Sequence, residues 1–334
     1  MASDAVQWRP VGLADVPAMT ELFADIEELD QYGWHFDAGF LARWLADPGI
    51  DRGRGTTAAF AAGRMVAAGV LAARDEADPV HAMHYEGGVH PAYRGRGLGT
   101  RLLDWAVGAA VPLHEDRFAG RPLTIQCGFP VSDEAAASLF ARHGFAPVRY
   151  FRAMTRRVDR GDLPPVRVPE GYEIVGYRAD LDEAMRVAKN EAFRDHWDVT
   201  PTPPEAWRSR FTGPEFRPGL SPLALDTATG RVAGLIVTLQ RGTDPDRPGE
   251  RDAHVNNVGT LPPARGRGVA SALLATTLRA ARQDGFATVS LEVDSQNPTG
   301  ALGVYERSGF AVVSTWVTYA RAVGDQPGRG AAGR

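Results

Sequence analysis

A chain of 334 residues is long enough for two ordinary domains, and a hydrophobic content of 44% supplies a full core for each. A net charge of −4 and a pI near 6.1 offer no broad basic surface to nucleic acid or to an anionic membrane. No apolar run approaches the roughly 20 residues of a membrane span. Met1-Ala2-Ser3-Asp4 lacks the basic-then-apolar order of a signal peptide, so a cytoplasmic protein is expected. Cys127 is the only cysteine, which excludes an intrachain disulfide.

In chain order, Trp8-Arg9-Pro10-Val11 opens as a strand, and Asp15 is placed to cap a helix through Met19, Leu22, Phe23 and Ile26. Strands follow at 57–61 and 65–72, turning at Gly63, and then at 82–89. A glycine-rich loop and a long helix come next, then a strand over 123–127, a helix over 133–143 and a strand after Phe145. The prolines of 162–169 disfavour helix and strand alike and read as a linker. The same order then restarts. A strand at Tyr172 precedes a helix over 182–193, strands at 223–226, 232–239 and 253–260, a second glycine-rich loop with its helix, a strand over 288–293, a helix over 301–308 and a strand through Tyr319. The expected division is a first domain over 1–158, a linker over 159–170, a second domain over 171–323 and a disordered Gly-rich tail from Gly324.

The two loops say the same thing. Gly87-Gly88-Val89 leads into Arg94-Gly95-Arg96-Gly97-Leu98-Gly99-Thr100, and Val258-Gly259-Thr260 leads into Arg265-Gly266-Arg267-Gly268-Val269-Ala270-Ser271. Each is followed, 50 and 44 residues after its first arginine, by a Gly-Phe pair, Gly144-Phe145 and Gly309-Phe310. A strand, a glycine turn and a helix start point successive amides into one concavity, and the helix dipole adds partial positive charge. That is a cradle for phosphate or pyrophosphate. No Gly-Lys-Ser/Thr ends either loop, and the Rossmann glycine spacing is absent, so the other common phosphate loops do not apply.

The Arg-x-x-Gly-x-Gly/Ala loops resemble those of the GNAT N-acetyltransferases. So does the run Leu291-Glu292-Val293-Asp294-Ser295-Gln296-Asn297 through Tyr305 to Gly309-Phe310. The resemblance covers nearly the whole chain and suggests the tandem form found in high-GC bacteria. It implies two α/β (α+β) GNAT domains, each a mixed, mostly antiparallel twisted sheet flanked by helices. It also implies acetyl-CoA as cofactor, one per domain, with the loop amides on its pyrophosphate. The strand before each loop should splay from its neighbour and pair with the pantetheine arm. A small-molecule amine is the implied acceptor, for a monomer or homodimer needing neither nucleic acid nor membrane nor metal.

The chemistry asks for particular groups. An alkyl amine with a pKa near ~10.4 must lose a proton before it attacks, and a thiolate with a pKa near ~8.5 leaves better if a hydroxyl donates to it. By resemblance, Tyr305 is that acid, with a plain core aromatic as the alternative. Glu292 is the candidate base, or else a solvated strand residue; Asp294, Asn256, Asn257 and His254 are weaker candidates. Asn297 would hold the pantetheine or simply cap a helix. The segment with Asp195, His196, Trp197 and Trp207 would wall the acceptor pocket, both tryptophans being equally suited to the core. In the first half Phe140 stands where Tyr305 stands in the second, four residues before its Gly-Phe, and Ser132 lies near the place of Asn297. The first half is therefore expected to bind acetyl-CoA without a proton donor, and Glu86 is its residual base candidate. A non-catalytic acyl-CoA sensor and a transferase using another acyl-CoA remain the rival readings.

Overall fold

The computed structural model describes residues 6–33, 36–77, 79–194, 196–197, 199–211, 213, 215–240, 249–297 and 300–324. In chain order the elements are β1 (Gln7–Arg9), α1 (Val16–Asp30), α2 (Ala38–Leu45), β2 (Thr56–Ala61), β3 (Arg64–Ala73), β4 (His81–Val89), α3 (Leu98–Phe118), β5 (Leu123–Pro130), α4 (Glu134–Arg142) and β6 (Ala146–Arg157). The second series is β7 (Tyr172–Val175), α5 (Asp182–Ala192), α6 (Pro204–Phe211), β8 (Leu223–Asp226), β9 (Val232–Gln240), β10 (Asp252–Thr260), α7 (Val269–Gln283), β11 (Thr288–Asp294), α8 (Ala301–Arg307) and β12 (Ala311–Val323). The tail beyond Gly324 lies outside the described residues.

These elements form two compact units. One is Met1–Tyr150 together with Trp316–Arg334, and the other is Phe151–Thr315. In the first, strands run in the order β1-β2-β3-β4-β5-β12, with only β4 and β5 parallel. In the second they run β6-β11-β10-β9-β8-β7, with only β10 and β11 parallel. The units thus differ from the expected cut at 158 and 171, because each half's last strand pairs in the other unit. Trp316–Val323 ladder with Leu123–Pro130, and Phe151–Arg157 ladder with Thr288–Asp294. Alternation of apolar residues shows that a strand exists but not which edge it completes.

Each sheet is covered on both faces. In the first unit Met19, Leu22, Phe23 and Ile26 of α1 and Leu41 and Leu45 of α2 bury one face, while Leu102, Leu103 and Ala106 of α3 and Phe140 of α4 bury the other. In the second unit Met185 and Ala188 of α5 and Trp207 of α6 lie on one side, and Leu273, Leu274 and Leu278 of α7 and Tyr305 of α8 on the other. Asp15 stands at the α1 N-cap, but its carboxylate is spent elsewhere: it accepts from the Gly12 amide at 2.9 Å and pairs with Arg9.

Candidate active site

Both loops have one backbone design. Gly97 and Gly268 are the N-caps of α3 and α7 with φ of 81° and 90°, and Gly95 and Gly266 are also left-handed at 73° and 72°. Glycine adopts such angles without Cβ strain. The first helical turn leaves its amides without intrahelical acceptors. In each unit they belong to Leu98, Gly99 and Thr100, or to Val269, Ala270 and Ser271, beside the exposed Gly95-Arg96-Gly97 and Gly266-Arg267-Gly268. A concave row of N–H groups at a helix N-terminus fits a phosphate.

The first arginine of each motif does different work from that expected of an anion ligand. Arg94 Nε donates to the Val89 carbonyl at 3.2 Å, and its two Nη atoms clamp Asp30 at 2.8 and 2.5 Å. Arg265 repeats this with the Thr260 carbonyl at 3.1 Å and the Ala192 carbonyl at 3.2 Å. Both guanidinium groups tie the loop to the strand before it and to the first helix of their unit. Arg96 lies over the Tyr93 ring, 4.8 Å from its centroid, and Arg267 is exposed.

The expected slot is present twice. In the second unit β10 and β11 pair only from Asp252↔Thr288 to Val255↔Leu291, although the strands run on to Thr260 and Asp294. In the first, β4 and β5 pair only from His81↔Leu123 to His84↔Gln126 before running on to Val89 and Pro130. Val258, Gly259 and Thr260 pair outward with β9, as Gly87, Gly88 and Val89 pair with β3. Gly259 and Gly88 also have packing reasons. A Cβ would stand 3.2 Å from Ala192 Cβ at the former and 2.6 Å from Ile26 Cδ1 at the latter.

At the second slot the structure sorts the candidates by face. Tyr305 is 7% exposed, packed with Leu291, Val293 and Phe310 on the α7 side, and no hydrogen bond to its hydroxyl is made among the described residues. Burial pushes that hydroxyl well above the usual phenol range, so it holds its proton at neutral pH. Glu292 is exposed on the opposite face, one residue beyond the last β10–β11 pair. On its face lies a network that sequence reasoning missed. His254 Nδ1 is 3.0 Å from Ser290 Oγ, Ser290 donates to Asp252 at 2.5 Å, and Thr288 donates to the same carboxylate at 2.6 Å. Register makes this possible, since His254 and Ser290 are ladder partners. A bulge at Asn256 follows directly, between Val255 and Asn257, and re-aims the strand at the slot.

The remaining candidates separate. Asn297 lies in the turn after β11, its amide donating to the Asp294 carbonyl at 3.1 Å; the α8 N-cap is Gly300 instead. Trp197 sits 6.4 Å, centroid to centroid, from Phe151 of β6, a residue whose place here no sequence signal revealed. Phe151 is the ladder partner of Asp294 and so shares the face of Glu292. His196 packs on Phe193 at 4.6 Å. Trp207 is corrected from pocket wall to core: it is 2% exposed, and its indole donates to Asp182 at 2.8 Å. Asp195 lies outside the described residues. In the first unit Phe140 is buried against Phe129, Phe145 and Tyr319, and Ser132 is exposed beside Asp133, which caps α4. Cys127 is buried there, its thiol pushed up by desolvation.

Two divergent-strand slots, each ending at a helix-capped glycine cradle, define acyl-CoA-dependent transferases of one fold. Residues 183–310 match the acetyltransferase (GNAT) family, and residues 54–147 match an acetyltransferase (GNAT) domain. The mycothiol acetyltransferase of Saccharomonospora viridis is 33% identical over 235 residues, 70% of this chain and 72% of that one. That of Salinispora arenicola is 32% identical over 321 residues, 94% of each. Among solved structures, a GCN5-related N-acetyltransferase from Sphaerobacter thermophilus is 27% identical with a TM-score of 0.77, covering 96% of this chain and 97% of its own. A tandem GNAT protein from the clavulanic acid biosynthesis pathway, 20% identical over 96% of this chain and 99% of its own, shares the fold with a TM-score of 0.74. The chain belongs to the GNAT acetyltransferase family and is an acyltransferase.

Proposed function

We propose that the second unit transfers the acetyl group of acetyl-CoA to a primary amine on a small, hydroxyl-rich molecule. The observation that carries this reading is the opening between β10 and β11, which has Tyr305 on one face and Glu292 on the other. When bound, acetyl-CoA supplies an activated thioester. The amides of Gly266 to Ser271 hold its pyrophosphate, and the free edge of Val258–Thr260 lines its arm. Glu292 takes the ammonium proton on the α5 face, beside the His254–Ser290–Asp252 network. Tyr305 returns a proton to the sulfur from the other face. Acid and base on opposite faces of one slot keep donor and acceptor protons apart. Positioned groups of this kind are each worth roughly 10²–10⁴-fold. Asn297 is proposed to meet the arm near the slot's end.

The acceptor class is inferred from Phe151 and Trp197 beside Glu292 and Asp294, aromatic faces and carboxylates together, and from the relatives named as mycothiol acetyltransferases. The first cradle is proposed to hold a second acetyl-CoA. The test is thiol release from acetyl-CoA against aminoglycosides, polyamines, amino acids and cysteinyl sugars. Tight CoA binding with no thiol release for any amine would transfer the reading to a sensor.

A further inference from the structure

We infer that His81 and His114 hold a single proton between them, a buried cation that ties the end of α3 to the start of β4 and loosens when alkaline pH removes it. The pair lies at the opposite end of both elements from the first cradle, so it needs no cofactor there. The two Nδ1 atoms are 2.9 Å apart, and the residues are 0% and 3% exposed. That contact, with ring centroids 5.1 Å apart and planes at 22°, means that the rings meet edge to edge, nitrogen facing nitrogen.

The outer nitrogens fix the proton count. His81 Nε2 lies 3.1 Å from the Arg74 carbonyl, and His114 Nε2 lies 2.8 Å from the Arg121 carbonyl. A carbonyl oxygen only accepts, so both Nε2 atoms carry hydrogen. A neutral imidazole has one N–H, so two neutral rings would leave bare lone pairs facing each other. Two imidazolium rings would instead point two N–H groups at each other. One added proton satisfies all four nitrogens, the Nδ1–H of one ring donating to Nδ1 of the other. Among the described residues neither ring bonds a carboxylate. The Phe118 ring covers His81 at 4.6 Å. The nearby charges are Asp75, ahead of β4, and Arg117, one turn beyond His114, which pair with each other at 3.5 Å.

Two groups this close titrate as a pair. Burial pushes His81 below the ordinary histidine range; the neighbouring imidazole and Arg117 act the same way, against the Arg74 carbonyl and Asp75. A second proton is therefore refused until the solution is acid. The last proton resists removal, because its loss strands two buried acceptors. In the unfolded chain a histidine ionises near ~6.5, so two of them bind two protons well below that value, about one at it and none well above. The folded pair binds one throughout. Its stabilising effect accordingly rises with pH up to about 6.5 and falls beyond it. On the alkaline side, what opens is the join between the start of β4 and the end of α3.

The test uses the full chain carrying nitrogen-15 histidine. The two rings are assigned with His81→Gln or His114→Gln, or through nuclear Overhauser contacts to Phe118 if neither variant folds. At pH 6.5 we expect both Nε2 atoms protonated and one proton shared by the two Nδ1 atoms; at pH 9 the shared proton should be gone. Hydrogen exchange, corrected for its intrinsic pH dependence, should show protection over 81–84 and 113–121 falling at least 10-fold between those pH values, while α7 of the second unit keeps its protection. In His114→Gln, whose amide offers a donor and an acceptor at any pH, that fall should vanish. Two protonated or two bare Nδ1 atoms at pH 6.5, or an Nε2 without hydrogen, overturns the shared proton. A proton still held at pH 9, or lost with no change in exchange, overturns the loosening.

Discussion

Glu86→Gln should make the first unit more stable at pH 8. The unfolded carboxyl ionises near its ordinary 4.5, whereas the folded one waits until about 7. Between those values folding holds back a proton, so stability falls as pH rises from 4.5 to 7 and stays low above it. A rise of that size is worth up to about 3 kcal/mol at 1.36 per unit. The side chain keeps some water, so the realised gain is nearer half of that ceiling. Glutamine matches the shape and carries no charge, so it removes the penalty at high pH and leaves low pH unchanged. Urea unfolding at pH 8 and pH 4, read by hydrogen exchange in peptides covering 81–130, reports the first unit separately from the second. A gain of about 1–3 kcal/mol at pH 8 and none at pH 4 is expected. Equal midpoints for both proteins at both pH values would mean that Glu86 is solvated or paired in the folded chain.

His84 provides the opposite slope. Desolvation, with Arg74 beside it, holds the folded imidazole near 4 against an ordinary 6.5, so stability is lost as pH falls from 6.5 to 4, by up to about 3 kcal/mol. In wild type the two trends oppose each other over much of that range; in Glu86→Gln the acid slope should stand alone in the urea midpoints. Tyr305→Phe should cut turnover by roughly 10²-fold with little change in CoA affinity, as stopped-flow thiol detection and calorimetry would show; unchanged turnover would return Tyr305 to a packing role. Trp207→Ala should destabilise the second unit by about 3–5 kcal/mol, because it empties a core site and removes one of the two donors to Asp182 Oδ1, leaving only the Tyr177 hydroxyl. Ser290→Ala should lower kcat without raising KM for CoA, since it breaks the link between His254 and Asp252.

Much of the fold was legible because its elements carry local signals. The repeated strand–glycine turn–helix units stand where expected, and β7 and β8 keep their predicted bounds. Partner choice was not legible. The pattern of β6 and β12 marks strands, but their pairing across the halves depends on edges that form only once both sheets exist. Helix α2 escaped because a short segment of eight residues, with Gly39 inside it, hardly develops a period, although Asp37 does cap it. At the site, the two glycine turns were readable from spacing, and Tyr305 was singled out by resemblance alone. The His254–Ser290–Asp252 network was not, because it joins strands some 36 residues apart through register alone. Arg94 and Arg265 look like anion ligands in one dimension; only the folded chain shows their donors already engaged.

The central claim is that the second unit carries the principal transfer, and two matched substitutions test it. At Gly97 and at Gly268 a Cβ would meet nothing closer than Pro169 Cγ at 4.0 Å beside Gly268, but both residues are left-handed, so a glutamate strains the loop backbone as well as adding negative charge beside the phosphate site, and both effects oppose CoA binding. Thiol release with a productive amine, and CoA bound per chain, would be measured for wild type, Gly97→Glu and Gly268→Glu. One CoA should be lost in each variant, with most activity kept in Gly97→Glu and at least a 10²-fold loss in Gly268→Glu. Full activity in Gly268→Glu with a folded but inactive Gly97→Glu would place the principal chemistry in the first unit and contradict the account.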